Sequence, residues 1–405
     1  MSTRNKSPNR PPRIGLVLAG GGPLGAVYEI GALAAIEEAV AGLDWNAADV
    51  YVGISAGGII ASGLANGISA HEMCRMFIES DDGHSHADLF KPELLLRPAW
   101  PELRKRAAAL PGLVAGSLLH YARGGRDRSL PNSFERLKEA LPAGILSGEG
   151  LHEFLAKAFN RPGRSNDFRK LHHRLVLVAT DLDSGEAICF GQPGFDDVPI
   201  SRATQASAAV PGLFPPVEIK GRHMIDGVLR KTLHASIALE HDADLVFCLN
   251  PIVPYDARGA HGPGKVSEGG LLTVLSQTLR AIIHSRVARG IESYALSHPH
   301  VDILLFEPHP QDADMFFTNL FSTGNRRRLC ENAYQRTRAH LWRNREAISA
   351  KLARHGMRLK VDVLRDKSLT LVAAPPAMAK DRYGVNRLRQ TLAELEHKLK
   401  LARVR

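Results

Sequence analysis

Three short stretches of the 405-residue chain carry residue types at spacings that could do chemistry. The first is Gly53-Ile54-Ser55-Ala56-Gly57. A serine flanked by small residues can occupy a sharp strand-to-helix turn, where its hydroxyl stands clear and larger neighbours would collide. The second is Gly20-Gly21-Gly22-Pro23-Leu24-Gly25, between an apolar run and a helical pattern. The free N–H groups of such a loop, with the positive end of the helix behind them, can hold an anion. The third is Asp226-Gly227, at the exit of a hairpin turning around Lys220 to His223. An aspartate there can face a sheet edge and act as a general base, if the site is dry enough to raise its basicity.

Each stretch also has a plainer reading. G-x-S-x-G recurs by chance in small-residue turns, and an Asp-Gly step commonly caps a turn. The glycine loop is formally G-x-G-x-x-G, the dinucleotide-binding spacing. However, the second strand ends at Ser55, not at an acidic residue suited to a ribose hydroxyl, which favours an oxyanion cradle. Of the 18 histidines, His223 and His234 lie nearest the third stretch. His223 precedes Asp226 by three positions, which on a strand places it on the opposite face. Both histidines read as structural or solvent-exposed.

Chemistry needs a frame that brings these stretches together. "RIGLVLAGG", "DVYVGIS", "RLVLVATDL", "EAICFG", "DLVFCLNP" and "VDILLFEP" read as strands, short and continuously apolar. "GAVYEIGALAAIEEA", "AGGIIASGLANG", "ISRATQASAAV", "HASIALEH" and "LLTVLSQTLRAIIHSRVARGIESYALS" read as helices. Alternating strands and helices of this kind predict a mostly parallel sheet covered on both faces, a three-layer α/β/α fold. We expect a basic leader over 1–12 and a catalytic domain over 13–310. An apolar and basic insert, about 83–148, is either a lid or lipid-facing cap or a packed helical hairpin. A basic, mainly helical extension over 311–405 follows, with a late pair of short strands in "MRLKVDVLRDKSLTLVAAPP" and near-heptad spacing in "GVNRLRQTLAELEHKLKLARVR".

Phe321 to Arg405 holds 21 Lys and Arg against 7 Asp and Glu, while the rest of the chain holds 31 against 35. Such a basic end suits an anionic surface or a solvated helical face; no nucleic-acid module accompanies it, so no nucleic-acid partner is expected. Four scattered cysteines without a CxxC pair point away from a disulfide framework or a zinc site and toward a cytoplasmic protein. No apolar run approaches the roughly 18–20 residues of a spanning helix.

The order G-G-G-x-x-G, G-x-S-x-G, D-G, with the linking segments "ATDLDSGEAICFG" and "ASAAVPGLFPPVEIKGRHMIDGV", resembles the patatin-like phospholipase family over roughly Ile14 to Pro251. The resemblance implies a lipid acyl hydrolase using a Ser-Asp dyad, with no histidine, metal or cofactor. By position, Ser55 is then the nucleophile and Asp226 its base. Gly20 to Gly25, chiefly Gly21 and Gly22, form the oxyanion hole with Ala56, and Gly53, Gly57 and Gly227 complete the motifs. The implied substrate is an ester-linked acyl chain of a phospholipid or lysophospholipid at an anionic membrane surface, cleaved through an acyl-serine. A neutral-lipid esterase, an acyltransferase or a lipid-binding scaffold on the same fold are the alternatives. Two positions depart from the family: Leu24 stands where a basic residue is usual, and Val228 where glycine or alanine is. Leu24 removes a charge near the loop, and Val228 is expected to narrow the site or tilt Asp226.

Overall fold

The computed structural model describes residues 10–78, 92–123, 140–230, 233–258, 266–317 and 323–372. All but the last of these fall in one compact unit, Met1–Leu371. The leader up to residue 9, parts of the insert and the heptad-spaced stretch from Gly384 lie outside the described residues.

From the N-terminus the chain forms β1 (Ile14–Leu18), α1 (Gly22–Ala39), β2 (Val40–Ala41), β3 (Val50–Ile54), α2 (Ala56–Ala65), α3 (Ala70–Phe77) and α4 (Trp100–Arg123). Next come α5 (Glu149–Phe159), β4 (Arg174–Asp181), β5 (Ala187–Phe190), α6 (Ile200–Ser207), β6 (Val217–Ile219) and β7 (Arg222–Asp226). α7 (Ala235–Glu240), β8 (Leu245–Leu249), α8 (Gly270–Ser297) and β9 (Asp302–Phe306) complete the main sheet. Four helices and a strand close the described chain: α9 (Asp314–Phe317), α10 (Thr323–Arg343), α11 (Arg345–Ala353), β10 (Arg358–Leu359) and α12 (Val361–Arg365).

Strands β4, β3, β1, β8 and β9 lie side by side and parallel, and β5, β6 and β7 add antiparallel pairings beyond them. Every residue of β3 and β8 is buried, as expected where helices cover both faces. On one face Val52, Ile54, Val178 and Val246 pack with α7 and with Ile283 and Val287 of α8. On the other, α2 packs against β1 and β3, and α1 packs against α2 and α10. This is the three-layer α/β/α fold.

One detail of register positions the site. Leu177 and Val178 of β4 pair with both β3 and β5, whereas Ala179 and Thr180 pair with both β5 and β7. Strands β3 and β7 therefore share one side of β4. Ile54 pairs with Val178 and Asp226 with Ala179, so the two strands arrive from opposite directions and stop against neighbouring residues.

The C-terminal helices are built into this frame. A Cβ added to Gly31 of α1 would lie 2.4 Å from the Cys330 carbonyl oxygen, so α1 and α10 cross closely. Glu38 accepts hydrogen bonds from Tyr334 and from the buried Arg338. Arg336 pairs with Asp312 at 3.0 Å and Arg354 with Asp302, so part of the basic surplus is matched within the fold. Among the described residues the late pair of strands is not formed. Arg358–Leu359 makes a two-residue antiparallel ladder with β2, and Val361–Arg365 then turns into a helix that buries Leu364. The following residues are held as a loop, with Gln335 donating to Leu369 O and Leu371 N donating to Glu331. Among the described residues no helix is long and apolar enough to cross a membrane.

Candidate active site

Ser55 sits between β3 and α2 at φ 54°, ψ −124°. A residue with a Cβ rarely adopts such a backbone, at a cost of about 1–3 kcal/mol, so its surroundings must impose it. The constraint is visible. The Ser55 N–H donates to Ser207 Oγ at 2.8 Å, and that hydroxyl in turn donates to Val178 O at 2.6 Å. Ser207 thus replaces the missing ladder contact where β3 leaves the sheet. On the other side, a Cβ on Gly57 would lie 2.5 Å from Ala19 O, so only glycine lets the start of α2 press against the end of β1.

The glycine loop meets the same point. Gly22 opens α1 at φ 59°, and Pro23 follows at a position where the helix needs no N–H donor. The N–H of Gly25 donates to Gly21 O at 3.0 Å and closes the turn. The first N–H groups of a helix have no intrahelical acceptor, which leaves Gly22 at the start of α1 and Ala56 at the start of α2 as donors beside Ser55. A Cβ on Gly20 would lie 2.4 Å from Val228 Cγ2 and 3.0 Å from Ser55 Cβ.

Asp226 ends β7 with 3% of its surface exposed, the same as Ser55. Its carboxylate accepts from Val228 N–H at 2.9 Å, and the Ser55 hydroxyl lies near enough to favour its ionised form. Burial pushes the carboxyl up to about 6, against the lowering effect of those two hydrogen bonds. Gly227 is pressed against β4, where a Cβ would lie 2.3 Å from Val178 O. Val228 therefore narrows the space above Gly20 while its N–H holds the Asp226 carboxylate. His223 pairs with Asp183 at 3.0 Å on the exposed side of the hairpin, and His234 is the residue just before α7. Neither is among the hydrogen-bond partners of Asp226.

Ser55 and Ala56 line a cavity of about 830 Å³ whose walls are largely apolar, from Val27 and Ile30 of α1 to Ile59, Ile60 and Phe214. Polar side chains interrupt them, among them Glu102, Lys105, Glu218, Arg326 and a cluster in which Arg202 donates to Glu149 at 2.8 Å and to Gln205 at 2.6 Å. Burial raises the Glu149 carboxyl, but the hydrogen bonds from Arg202 and Gln205 outweigh it and hold it low. Among the described residues no group of three or more His, Cys, Asp or Glu side chains is placed to hold a metal ion.

Sequence reasoning missed Ser207 and the Arg202 cluster. Both belong to "ISRATQASAAV", which reads only as a helix. A small polar residue in the last turn of a buried helix was the available signal, since such a residue needs a partner.

A family profile described as patatin-like phospholipase matches residues 16–239. Among solved structures, VipD from Legionella pneumophila is 17% identical with a TM-score of 0.38, over 82% of this chain and 67% of that one. The type III effector ExoU is 15% identical with a TM-score of 0.32, over 82% of this chain and 53% of its own. Full-length ExoU in complex with SpcU, from the type III secretion system of Pseudomonas aeruginosa, is 20% identical with a TM-score of 0.25. That match covers 70% of this chain and 53% of the other, so the chain spans about half the length of ExoU. With the profile covering more than half of its residues, the chain belongs to the patatin-like phospholipase family, a family of lipid hydrolases.

Proposed function

We propose that this chain hydrolyses ester-linked acyl chains of phospholipids or lysophospholipids, with Ser55 as nucleophile and Asp226 as its base. The observation that carries the reading is that β3 and β7 end head to head on β4, setting a strained, buried serine against a buried aspartate whose carboxyl burial raises to about 6. A base poised there is ionised at neutral pH yet basic enough to take a proton in the transition state. Ser55 Oγ attacks the ester carbonyl carbon while its proton passes to Asp226. The oxyanion forms toward the N–H groups of Gly21, Gly22 and Ala56, each such donor being worth on the order of 10²–10³ in rate. Collapse expels the alcohol, which takes the proton from Asp226 and leaves an acyl-serine. Water, giving its proton to Asp226, then attacks the acyl carbon, and Ser55 regains that proton as the fatty acid departs. The chain's own groups supply every step, with no cofactor.

The apolar cavity supports an acyl chain as the recognised group, and the Arg202 cluster on its wall supports a polar head. A lipid presented at an anionic membrane surface, met from the cytoplasm, is the substrate form this favours. The packing of Val228 over Gly20 favours one second reading, a lipid binder in which the oxyanion site is too narrow for catalysis. The test is a fluorophosphonate probe combined with lipid mass spectrometry of mixed membrane lipids. Labelling at Ser55 and fatty-acid release lost in Ser55→Ala are expected. Full release by Ser55→Ala would sink the scheme, and a folded protein that neither labels nor releases would favour the binder.

A further inference from the structure

Helix α8 crosses from β8 to the parallel strand β9 and so runs opposite to both. Its 28 residues span about 42 Å, whereas the five-residue strands it joins span about 17 Å. Core burial in α8 begins at its midpoint, with Ile283 and Val287. The first half therefore overhangs the carboxyl edge of the sheet, the edge where Ser55 lies.

In that overhang the usual amphipathic order is reversed. The polar side faces the protein: Gln277 Oε1 accepts from Tyr255 N at 3.0 Å and its Nε2 donates to Tyr255 O at 2.7 Å. Arg280 donates to Val253 O and lies over the Phe316 ring. The outward side is apolar, with Leu271 72% exposed and Val274, Leu275, Leu279 and Ile282 exposed with it. Helix α4 repeats the reversal. Ser117 is fully buried and Arg106 pairs inward with Glu102 at 2.8 Å, while Leu110, Val114, Leu118 and Leu119 are exposed.

Both helices adjoin the site. The first turn of α4, at Pro101, Glu102 and Lys105, lines the Ser55 cavity. In α8, Arg286 donates to the carbonyl of Leu229, three residues beyond Asp226. Both also share a charge pattern: neither 103–123 nor 269–291 contains an Asp or Glu, and the charged residues described as exposed there are Arg104, Lys105, Arg286 and Arg289. An outward apolar face bordered only by cations is complementary to an anionic lipid surface.

We infer that the outward faces of α4 and of the first half of α8 dock this chain onto an anionic bilayer, setting the Ser55 cavity at its surface. The inference rests on the reading of that cavity as a lipid site.

The test uses the full chain carrying Ser55→Ala, so that vesicles stay intact, and measures co-sedimentation with phosphatidylcholine vesicles with and without phosphatidylglycerol. Two further variants carry Leu110→Glu with Leu118→Glu, or Leu271→Glu with Leu275→Glu. Binding that requires phosphatidylglycerol, and falls at least about tenfold in each pair, is expected. The same pairs with Ser55 restored should cleave a soluble short-chain ester at the unaltered rate. No binding by the parent, or binding unchanged in both pairs, overturns the inference, as does a dimer that the pairs dissociate without loss of vesicle binding. Ester cleavage by Ser55→Ala would overturn the catalytic reading and leave the vesicle result standing.

Discussion

Ile54 and Asp226 take consecutive places along one strand, opposite Val178 and Ala179 of β4. That register is what sets the Ser55 hydroxyl against the Asp226 carboxylate, because β3 and β7 end head to head on the same side of β4. The pair titrates as a unit of known sign. As the proposed base, Asp226 would have to be ionised to accept the serine proton, and its carboxyl is raised to about 6 by burial. On a soluble ester, kcat/KM should fall about tenfold per pH unit below about 6 and level off above it. A profile flat down to pH 4 would remove Asp226 as the base.

The same shift predicts a cost in stability. A carboxyl raised to about 6 in the folded chain, from an ordinary value of 3.8, makes the folded state bind a proton that the unfolded state has released. The contribution is most favourable below pH 4, declines as pH rises toward 6 and stays unfavourable above. Asp226→Asn keeps an oxygen to accept from Ser55 and Val228 but removes the buried charge. It should lose hydrolysis yet melt higher than the parent at pH 8, with the gap closing by pH 4. A lower Tm at pH 8 would show that the charge is stabilised by something other than these two donors.

The layered fold and all three motifs were legible in the sequence because buried parallel strands leave continuous apolar runs, and because glycine marks the close approaches of Gly57 and Gly227. What was not legible depends on partners distant in the chain. Nothing in "HMIDGV" says that β7 stops one residue past Ile54 on β4; only the register shows it. Ser207 reads as one more helix residue until Val178 O and Ser55 N are placed beside it. The stretch that forms α8 reads in sequence only as a helix; the fold buries Ile283 and Val287 but turns Leu271, Leu275 and Leu279 outward, with Gln277 and Arg280 bonded within. The expected second late strand is absent among the described residues, because Leu369 O and Leu371 N are bonded to the Gln335 and Glu331 side chains of a distant helix instead of to a strand.

Ser207 should act as a positioning residue. Ser207→Ala leaves Ser55 N–H and Val178 O without their shared partner in a buried place, a loss of about 1–3 kcal/mol in stability. With the strained turn less constrained, the fraction of molecules holding Ser55 toward Asp226 falls. We expect kcat on a soluble ester to drop about tenfold or more with KM little changed, and fluorophosphonate labelling to slow in proportion. Equal melting temperature and equal labelling rate in Ser207→Ala would show that the elbow holds without it.

Val228 and Gly20 should prove mutually dependent. A Cβ on Gly20 would stand 2.4 Å from Val228 Cγ2 and 3.0 Å from Ser55 Cβ, so Gly20→Ala forces one of them to move. Val228 is 9% exposed and packed against the core, with little room to withdraw. Gly20→Ala alone is therefore expected to cut ester hydrolysis by about a hundredfold or more, as a displaced oxyanion donor would. Val228→Gly removes the obstructing methyl, opens the space above the loop and leaves the N–H that holds Asp226. It should raise the rate of the parent toward bulky acyl esters and restore part of the activity that Gly20→Ala loses. The measurement is a double-mutant cycle on kcat/KM, where coupling of about 1 kcal/mol or more is expected for residues in such contact. Additive effects would show that Val228 does not narrow the hole, and that the departure from a small residue at this position is neutral.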